Sequence, residues 1–233
     1  MIVYSGTKQQ FNHDVMMNEI SDIIQKKIRD HHLPGGKTSE YRSWHNSLQY
    51  MRNVLDDPDI SEDVNIAIEY QIPRTSKRVD FMIAGSDEHG QDNVVIVELK
   101  QWDMAEKVDD IMEHSVRTYT GSAIRTVNHP SYQAYAYATF IRSSAEQLED
   151  DDIQIVPCAY LHNYKPEYIG ALNDSIYEDW YKEAPFFIKT EMMKMRAFVK
   201  NTLRNVQRTA TCSIRSIMAG SAPLKLYRIV WYP

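Results

Sequence analysis

Cysteine is scarce in this 233-residue chain: Cys158 and Cys212 are the only two, and neither belongs to a Cys-x-x-Cys or Cys/His array. That excludes a disulfide framework and a zinc site. Cys158, inside an apolar run, reads as a small buried hydrophobe. Long hydrophobic runs are missing as well. None approaches the roughly 20 residues that cross a bilayer, and the N-terminus has neither a basic start nor a long apolar segment, so a cytoplasmic protein without a membrane partner is expected. No Gly-x4-Gly-Lys-Ser/Thr loop occurs, which removes a P-loop nucleotide site. Internal repeats and low-complexity segments are also absent.

Positive charge is short overall and unevenly placed. A net charge of −6 argues against holding nucleic acid by bulk electrostatics. Yet residues 192–233 carry eight Lys or Arg and no acid. Such asymmetry marks either a nucleic-acid-binding arm or a segment of different origin. With 43% hydrophobic and 25% charged residues, the remainder has the content of one ordinary domain.

The stretch Asn93-Val-Val-Ile-Val-Glu-Leu-Lys100 organises what is there. Val94 to Val97 suit a strand dry on both faces. Alternation then puts Val94, Ile96, Glu98 and Lys100 on one face and Val95, Val97 and Leu99 on the other. One face thus turns from apolar to charged within a single strand, which is costly unless the charges are paired, hydrogen-bonded or bound to metal. Before it, Ile66 to Ile72, a basic turn from Pro73 to Lys77, and Arg78 to Ile83 read as a β-hairpin with Asp80 early in its second strand. Adjacent strands can bring Asp80 beside Glu98. Two such carboxylates repel unless a cation lies between them, and oxygen ligands suit Mg²⁺ or Mn²⁺.

Asp80, followed after 17 residues by Glu98-Leu99-Lys100, resembles the PD-(D/E)XK nuclease superfamily. His129-Pro-Ser-Tyr-Gln133-Ala-Tyr-Ala-Tyr137 is similar to the Gln-x-x-x-Tyr helix of its RecB-like branch. The wording from Arg42-Ser-Trp44 through Val97-Glu-Leu-Lys-Gln-Trp102 to Pro157-Cys-Ala-Tyr-Leu-His-Asn163 resembles the N-terminal nuclease-like domain of bacterial proteins that continue into a helicase. The resemblance covers residues 1–190. It implies an α/β fold with a restriction-endonuclease-like αβββαβ core, a central mixed sheet of about four strands flanked by helices. It also implies a metal-dependent nuclease acting on nucleic acid, most readily DNA. Asp80, Glu98 and the Leu99 carbonyl would hold Mg²⁺ or Mn²⁺, Lys100 would orient water or neutralise charge, and Gln133 and Tyr137 would support both.

Several residues carry two readings. Glu40, in the first turn of a helix from about Ser39 to Leu55, is either an extra metal ligand or a carboxylate suited to the helix dipole. Arg74, Lys77 and Arg78 either meet a phosphate backbone or form a solvated turn. His129 either touches substrate or caps the helix that Pro130 opens. Gln133 and Tyr137 share a helix face, for site chemistry or for packing.

The rest of the chain is expected as follows. Phe11 to Asp30 has helical spacing, residues 102–127 form a long loop with a short helix near Ala105 to His114, and Ser131 to Ala145 is a helix. Ile153 to Leu161 is a strand that Pro157 breaks or places near an edge, and Phe186 to Ile188 is a short strand. Residues 191–233 are expected as a basic helix and tail, in which the resemblance stops near Asn205. A truncated or frame-shifted end competes there with a genuine basic arm. The rival to the nuclease is a catalytically silent nucleic-acid-binding or helicase-associated module, and the plainest alternative is a structural Glu–Lys ion pair. Oligomeric state, DNA against RNA, and endo- against exonuclease action are open at this level.

Overall fold

The computed structural model of the protein describes residues 1–33, 35–72, 75–108, 114–145 and 153–203. Arg74 and the tail beyond Leu203, both singled out above, lie outside the described residues. The fold is α/β, with a six-stranded mixed sheet and a smaller three-stranded one.

The large sheet is built on β4, Asp92–Lys100. Val94, Val95, Ile96 and Val97 are all fully buried, so both faces of the strand are dry. Each such side chain contributes about 1.5–3 kcal/mol. β2 (Asn65–Gln71) and β3 (Arg78–Ser86) form the expected hairpin, antiparallel to each other and to β4. β1 (Ile2–Thr7), not expected from its sequence, pairs with β2 at one edge. On the other side β8 (Ile153–Leu161) lies parallel to β4, and β9 (Phe186–Ile188) parallel to β8. β9 meets β8 only from Ala159 onward. Pro157 therefore sits where β8 still has an open edge, the position a residue without an N–H tolerates.

Helices cover both faces. Phe11 to Asp30 is two helices rather than one: α1 (Lys8–Met16) and α2 (Ile20–Asp30) are separated at Asn18, whose φ of 59° breaks the helical path. The Thr7 hydroxyl caps α1 by accepting from the Gln10 amide. In α3, Thr38–Leu55, residues Trp44, Leu48, Met51 and Leu55 recur at threes and fours and are buried against the sheet. Its first turn is capped by Glu40, which accepts from the Lys37 amide at 3.3 Å, rather than by Ser39. α1, α2, α3 and α6 (Met192–Thr202) pack on one face around Ile66, Ile68, Phe81, Ile83, Val95 and Val97. α4, Pro130–Ala145, covers the other face through Tyr137, Ala138 and Ile141.

The expected long loop after β4 instead contains β5 (Glu106–Lys107), β6 (Ser115–Thr120) and β7 (Ala123–Asn128). Val116 and Thr118 are buried while Arg117 and Tyr119 face out, the period-two signal of a half-buried strand. Of the short helix expected at Ala105 to His114, Glu106 and Lys107 form β5 instead, and residues 109–113 lie outside the described residues. No described helix is long and apolar enough to cross a membrane.

α6 belongs to the same folded body as residues 1–190, since Met195, Val199 and Leu203 enter the main core and Arg196 donates to the Asn53 and Val54 carbonyls. Met195→Ala is expected to cost about 2–5 kcal/mol in urea unfolding. A cost below about 0.5 kcal/mol, at the level of a neutral surface change, would show that α6 is not part of the cooperative unit.

Candidate active site

The polar site lies where the register of three strands brings three acids into one row. Ile68–Phe81 and Tyr70–Val79 are paired on either side of it, so Glu69 lies opposite Asp80. The β3–β4 ladder ends at Phe81–Val97, which sets Asp80 opposite Glu98. Glu69 has φ 56°, a conformation that costs a residue with a Cβ about 1–3 kcal/mol. Its effect is visible in the core. Ile66 and Ile68 face the α3 side and Ala67 the α4 side, but past Glu69 both Tyr70 and Ile72 join the α4 side. β3 shifts in the same way at Asp80, with Val79 on the α4 side and Phe81 on the α3 side. The ordinary alternation breaks at these two acids.

Neutralising groups arrive from the flanks. Lys100 Nζ donates to Glu98 Oε1 at 2.6 Å and to Gln133 Oε1 at 3.1 Å. Gln133 Nε2 donates to Glu98 Oε1 at 2.8 Å and to the Tyr137 hydroxyl at 2.8 Å. The Leu99 amide donates to Asp80 Oδ2 at 2.8 Å. From α3, Trp44 Nε1 donates to Glu69 Oε1 at 2.6 Å. Arg78 bridges Glu69 Oε2 at 3.1 Å and Glu40 Oε1 at 2.8 Å. These side chains line one pocket of about 540 Å³ at the end of β4, between α3 and α4.

The electrostatics are those of surplus negative charge. Burial first, and then the Asp80 charge, pushes Glu98 up to about 8 against the pull of Lys100. Glu69 rises to about 7 by burial and by Asp80, opposed by Arg78. Asp80 is also raised by burial, against Lys100 and the Leu99 amide. For Lys100, burial acts downward, but Glu98 and Asp80 outweigh it and hold the ammonium above its usual value. Glu98 Oε2 is buried and no donor reaches it; beside it stands Asp80, with which Glu98 can share a hydrogen bond while it keeps its proton. Two buried acids that face each other and must otherwise share a proton are a pair that a hard divalent cation could hold in the proton's place. Among the described residues no three His, Cys, Asp or Glu side chains converge into a metal cage. Asp80, Glu98 and the Leu99 carbonyl would leave the remaining positions to water, which Mg²⁺ retains readily.

The structure brings Asp80, Glu98, Lys100, Gln133 and Tyr137 together and separates others from them. Glu40 lines the pocket, but its carboxylate is spent on Arg78 and on the α3 cap. Gly35, at φ 122°, lets this pair approach the backbone: a Cβ there would lie 2.9 Å from Glu40 Oε2. Arg78 is held by two acids rather than left free for phosphate. Lys77 lines the rim, its ammonium 5.1 Å from the Phe140 ring centre. His129 requires a correction as a substrate contact. It is fully buried, stacked on Tyr177, and its ring nitrogens meet the Leu172 carbonyl and the Ser131 amide. Burial lowers its pKa to about 4, so it is a neutral cap for α4.

Sequence reasoning missed Glu69, although an acid interrupting the apolar run Ile66 to Ile72 was its signal. It also missed a second network, in which Ser47 Oγ meets His162 Nε2 at 2.9 Å and Gln101 Nε2 at 3.0 Å. His162, neutral with a pKa near 4 through burial, stacks on Tyr50. This network ties α3 to the ends of β4 and β8. Comparison of the chain with protein-family models, curated proteins and solved structures yields no significant match in any of the three.

A carboxyl that titrates near 8 when folded and at 4.5 when unperturbed binds a proton in the native state that the unfolded chain has lost. Its contribution to stability therefore falls as pH rises through that window. In chelator, the urea midpoint of the wild type should drop between about pH 5 and 8, and Glu98→Gln should drop less. An identical pH slope in the two proteins would show that Glu98 is not buried in this way.

Proposed function

We propose that the chain is a metal-dependent nuclease of the PD-(D/E)XK type, hydrolysing phosphodiester bonds of nucleic acid, most readily DNA, in the cytoplasm. The observation that carries the reading is the convergence of Asp80, Glu98 and Lys100 on one pocket flanked by Gln133 and Tyr137. The order α3, β2, β3, β4, α4, β8 supports a restriction-endonuclease-like αβββαβ core, with β5–β7 inserted between β4 and α4 and with extra strands at both edges.

Asp80, Glu98 and the Leu99 carbonyl would hold Mg²⁺ or Mn²⁺. When bound, such an ion lowers the pKa of water and offsets charge developing on a phosphate. The protein's own groups do the remaining work. Lys100 is kept charged by Glu98 and Asp80, so its ammonium is available to donate to a phosphate oxygen as negative charge builds there. Gln133 is the brace: it accepts from Lys100 and donates to both Glu98 and the Tyr137 hydroxyl. That leaves the ammonium and the carboxylate in a fixed relation before substrate arrives, so little reorganisation is required in the transition state. Trp44 and Arg78 play the same part for Glu69 from the α3 side.

Purified protein is to be incubated with single-stranded, duplex and branched DNA and with RNA, with and without Mg²⁺ or Mn²⁺. Cleavage requiring the ion is expected. Asp80→Ala, Glu98→Ala and Lys100→Ala should each lower it by about 100-fold or more while circular dichroism stays native. Full activity in the Lys100 variant would overturn the assignment. Ion-independent binding without cleavage would instead favour the silent module.

A further inference from the structure

The hydrogen bonds at the end of β4 close into a ring that begins and ends on Gln101. Asn163 Nδ2 donates to the Gln101 carbonyl at 3.3 Å, and Asn163 Oδ1 stands 3.2 Å from His162 Nδ1. A carbonyl oxygen only accepts, so the Asn163 amide has one admissible orientation. Its Oδ1 then takes the single N–H of the neutral His162 ring, which leaves Nε2 bare. Ser47 Oγ, 2.9 Å away, therefore donates to Nε2. With its proton committed, Ser47 Oγ accepts from Gln101 Nε2 at 3.0 Å. The other Nε2 proton goes to the Ser43 carbonyl, also at 3.0 Å.

The ring fixes which way the Gln101 amide faces. Turning it over would set Oε1 against the Ser43 carbonyl, acceptor to acceptor, and would take from Ser47 its donor. Both N–H groups are used, and Oε1 is the one polar side-chain atom of Gln101 without a partner among the described residues. Gln101 lines the same pocket as the acids. Glu98 and Lys100 turn toward Gln133 of α4, whereas Gln101 reaches Ser43 and Ser47 of α3. The locked acceptor thus belongs to the α3 wall and the ammonium to the α4 wall.

An oxygen that only accepts repels a phosphate oxygen, which does the same. What it takes is an N–H or O–H donor. In nucleic acid those donors are the amino and imino groups of the base edges and the ribose 2′-hydroxyl. Serine, histidine and amide in sequence are also the connectivity of a nucleophilic triad. Here Ser47 already accepts from Gln101, and a histidine lowered to about 4 by burial is a poor base at neutral pH.

We infer that Gln101 Oε1 is a specificity-determining acceptor for a hydrogen-bond donor on the nucleoside beside the scissile phosphate, held in its orientation by Ser47, His162 and Asn163. Such a contact deepens the nuclease reading and rests on it. A nucleoside that carries the donor satisfies Oε1, whereas one that lacks it covers the oxygen and leaves it unpaired.

The test is fluorescence anisotropy of the full chain with labelled single-stranded oligonucleotides, in Ca²⁺ in place of Mg²⁺ and with the strands checked as intact on a gel. Two arms separate the sources of the donor. RNA against 2′-fluoro RNA of one sequence removes the sugar hydroxyl, and oligothymidylate against its N3-methyl form removes the base N–H. In one arm the wild type should prefer the donor-bearing strand about fivefold. Gln101→Met, which keeps the length and loses the acceptor, should bind both strands alike while circular dichroism stays native. Ser47→Ala frees the amide to turn, so the preference should shrink with Gln101 intact. No preference in either arm, or an unchanged one in Gln101→Met, overturns the acceptor even if the chain cleaves nucleic acid. A full preference in Ser47→Ala overturns the lock. A preference that needs Gln101, in a chain that cleaves nothing with Mg²⁺, keeps the acceptor and removes the catalytic reading, and binding of no strand at all overturns both.

Discussion

Three carboxylates stand in one row across three hydrogen-bonded strands, and the rest of the molecule answers that repulsion. Strands in a sheet lie about 4.8 Å apart, so Glu69, Asp80 and Glu98 cannot all be ionised without counter-charge from elsewhere. Arg78 at the start of β3 and Lys100 at the end of β4 supply that charge, and Trp44 from α3 and Gln133 from α4 add neutral hydrogen-bond donors. The two helices that sandwich the sheet therefore do more than cover apolar surface. Each contributes a hydrogen-bond donor to the row.

The sheet supplies the rigidity that such a site needs. β4 is buried on both faces up to Val97 and becomes polar only in its last residues, so the acids sit on the end of the best-packed strand in the fold. The break in alternation at Glu69 and Asp80 is a local cost, tolerated because the core on either side is continuous. It lets one strand serve two faces. The strand feeds isoleucines to the α3 side before Glu69 and Tyr70 and Ile72 to the α4 side after it. The pocket consequently opens between the helices at the end of the sheet rather than over either face.

Much of the framework was legible because it obeys short-range periods. The β2–β3 hairpin, β4, α3, α4, β8 and β9 follow from alternation, helical spacing, turn residues and Pro130. What failed had weak or misleading local signals. β1 is a six-residue edge strand whose partner lies about 60 residues away, α1 and α2 share one apolar period across a break at Asn18, and β6–β7 alternate within a segment too polar to suggest strands. His129 shows the limit for single residues: beside a helix start, a substrate contact and a cap have the same sequence, and only burial against Tyr177 separates them.

By itself the sequence determined that a charged end follows the apolar strand from Val94 to Val97, that Asp80 lies on the strand beside it, and that Gln133 and Tyr137 share a helical face. Each of these depends on the geometry of one element, and that geometry is carried by neighbouring residues. Tertiary structure alone decided that Glu69 completes the row, that Arg78 is spent between Glu40 and Glu69, and that buried Glu98 Oε2 meets no donor and faces the second acid, Asp80. Those are matters of register between strands and of packing between distant segments. No period within a single element encodes them.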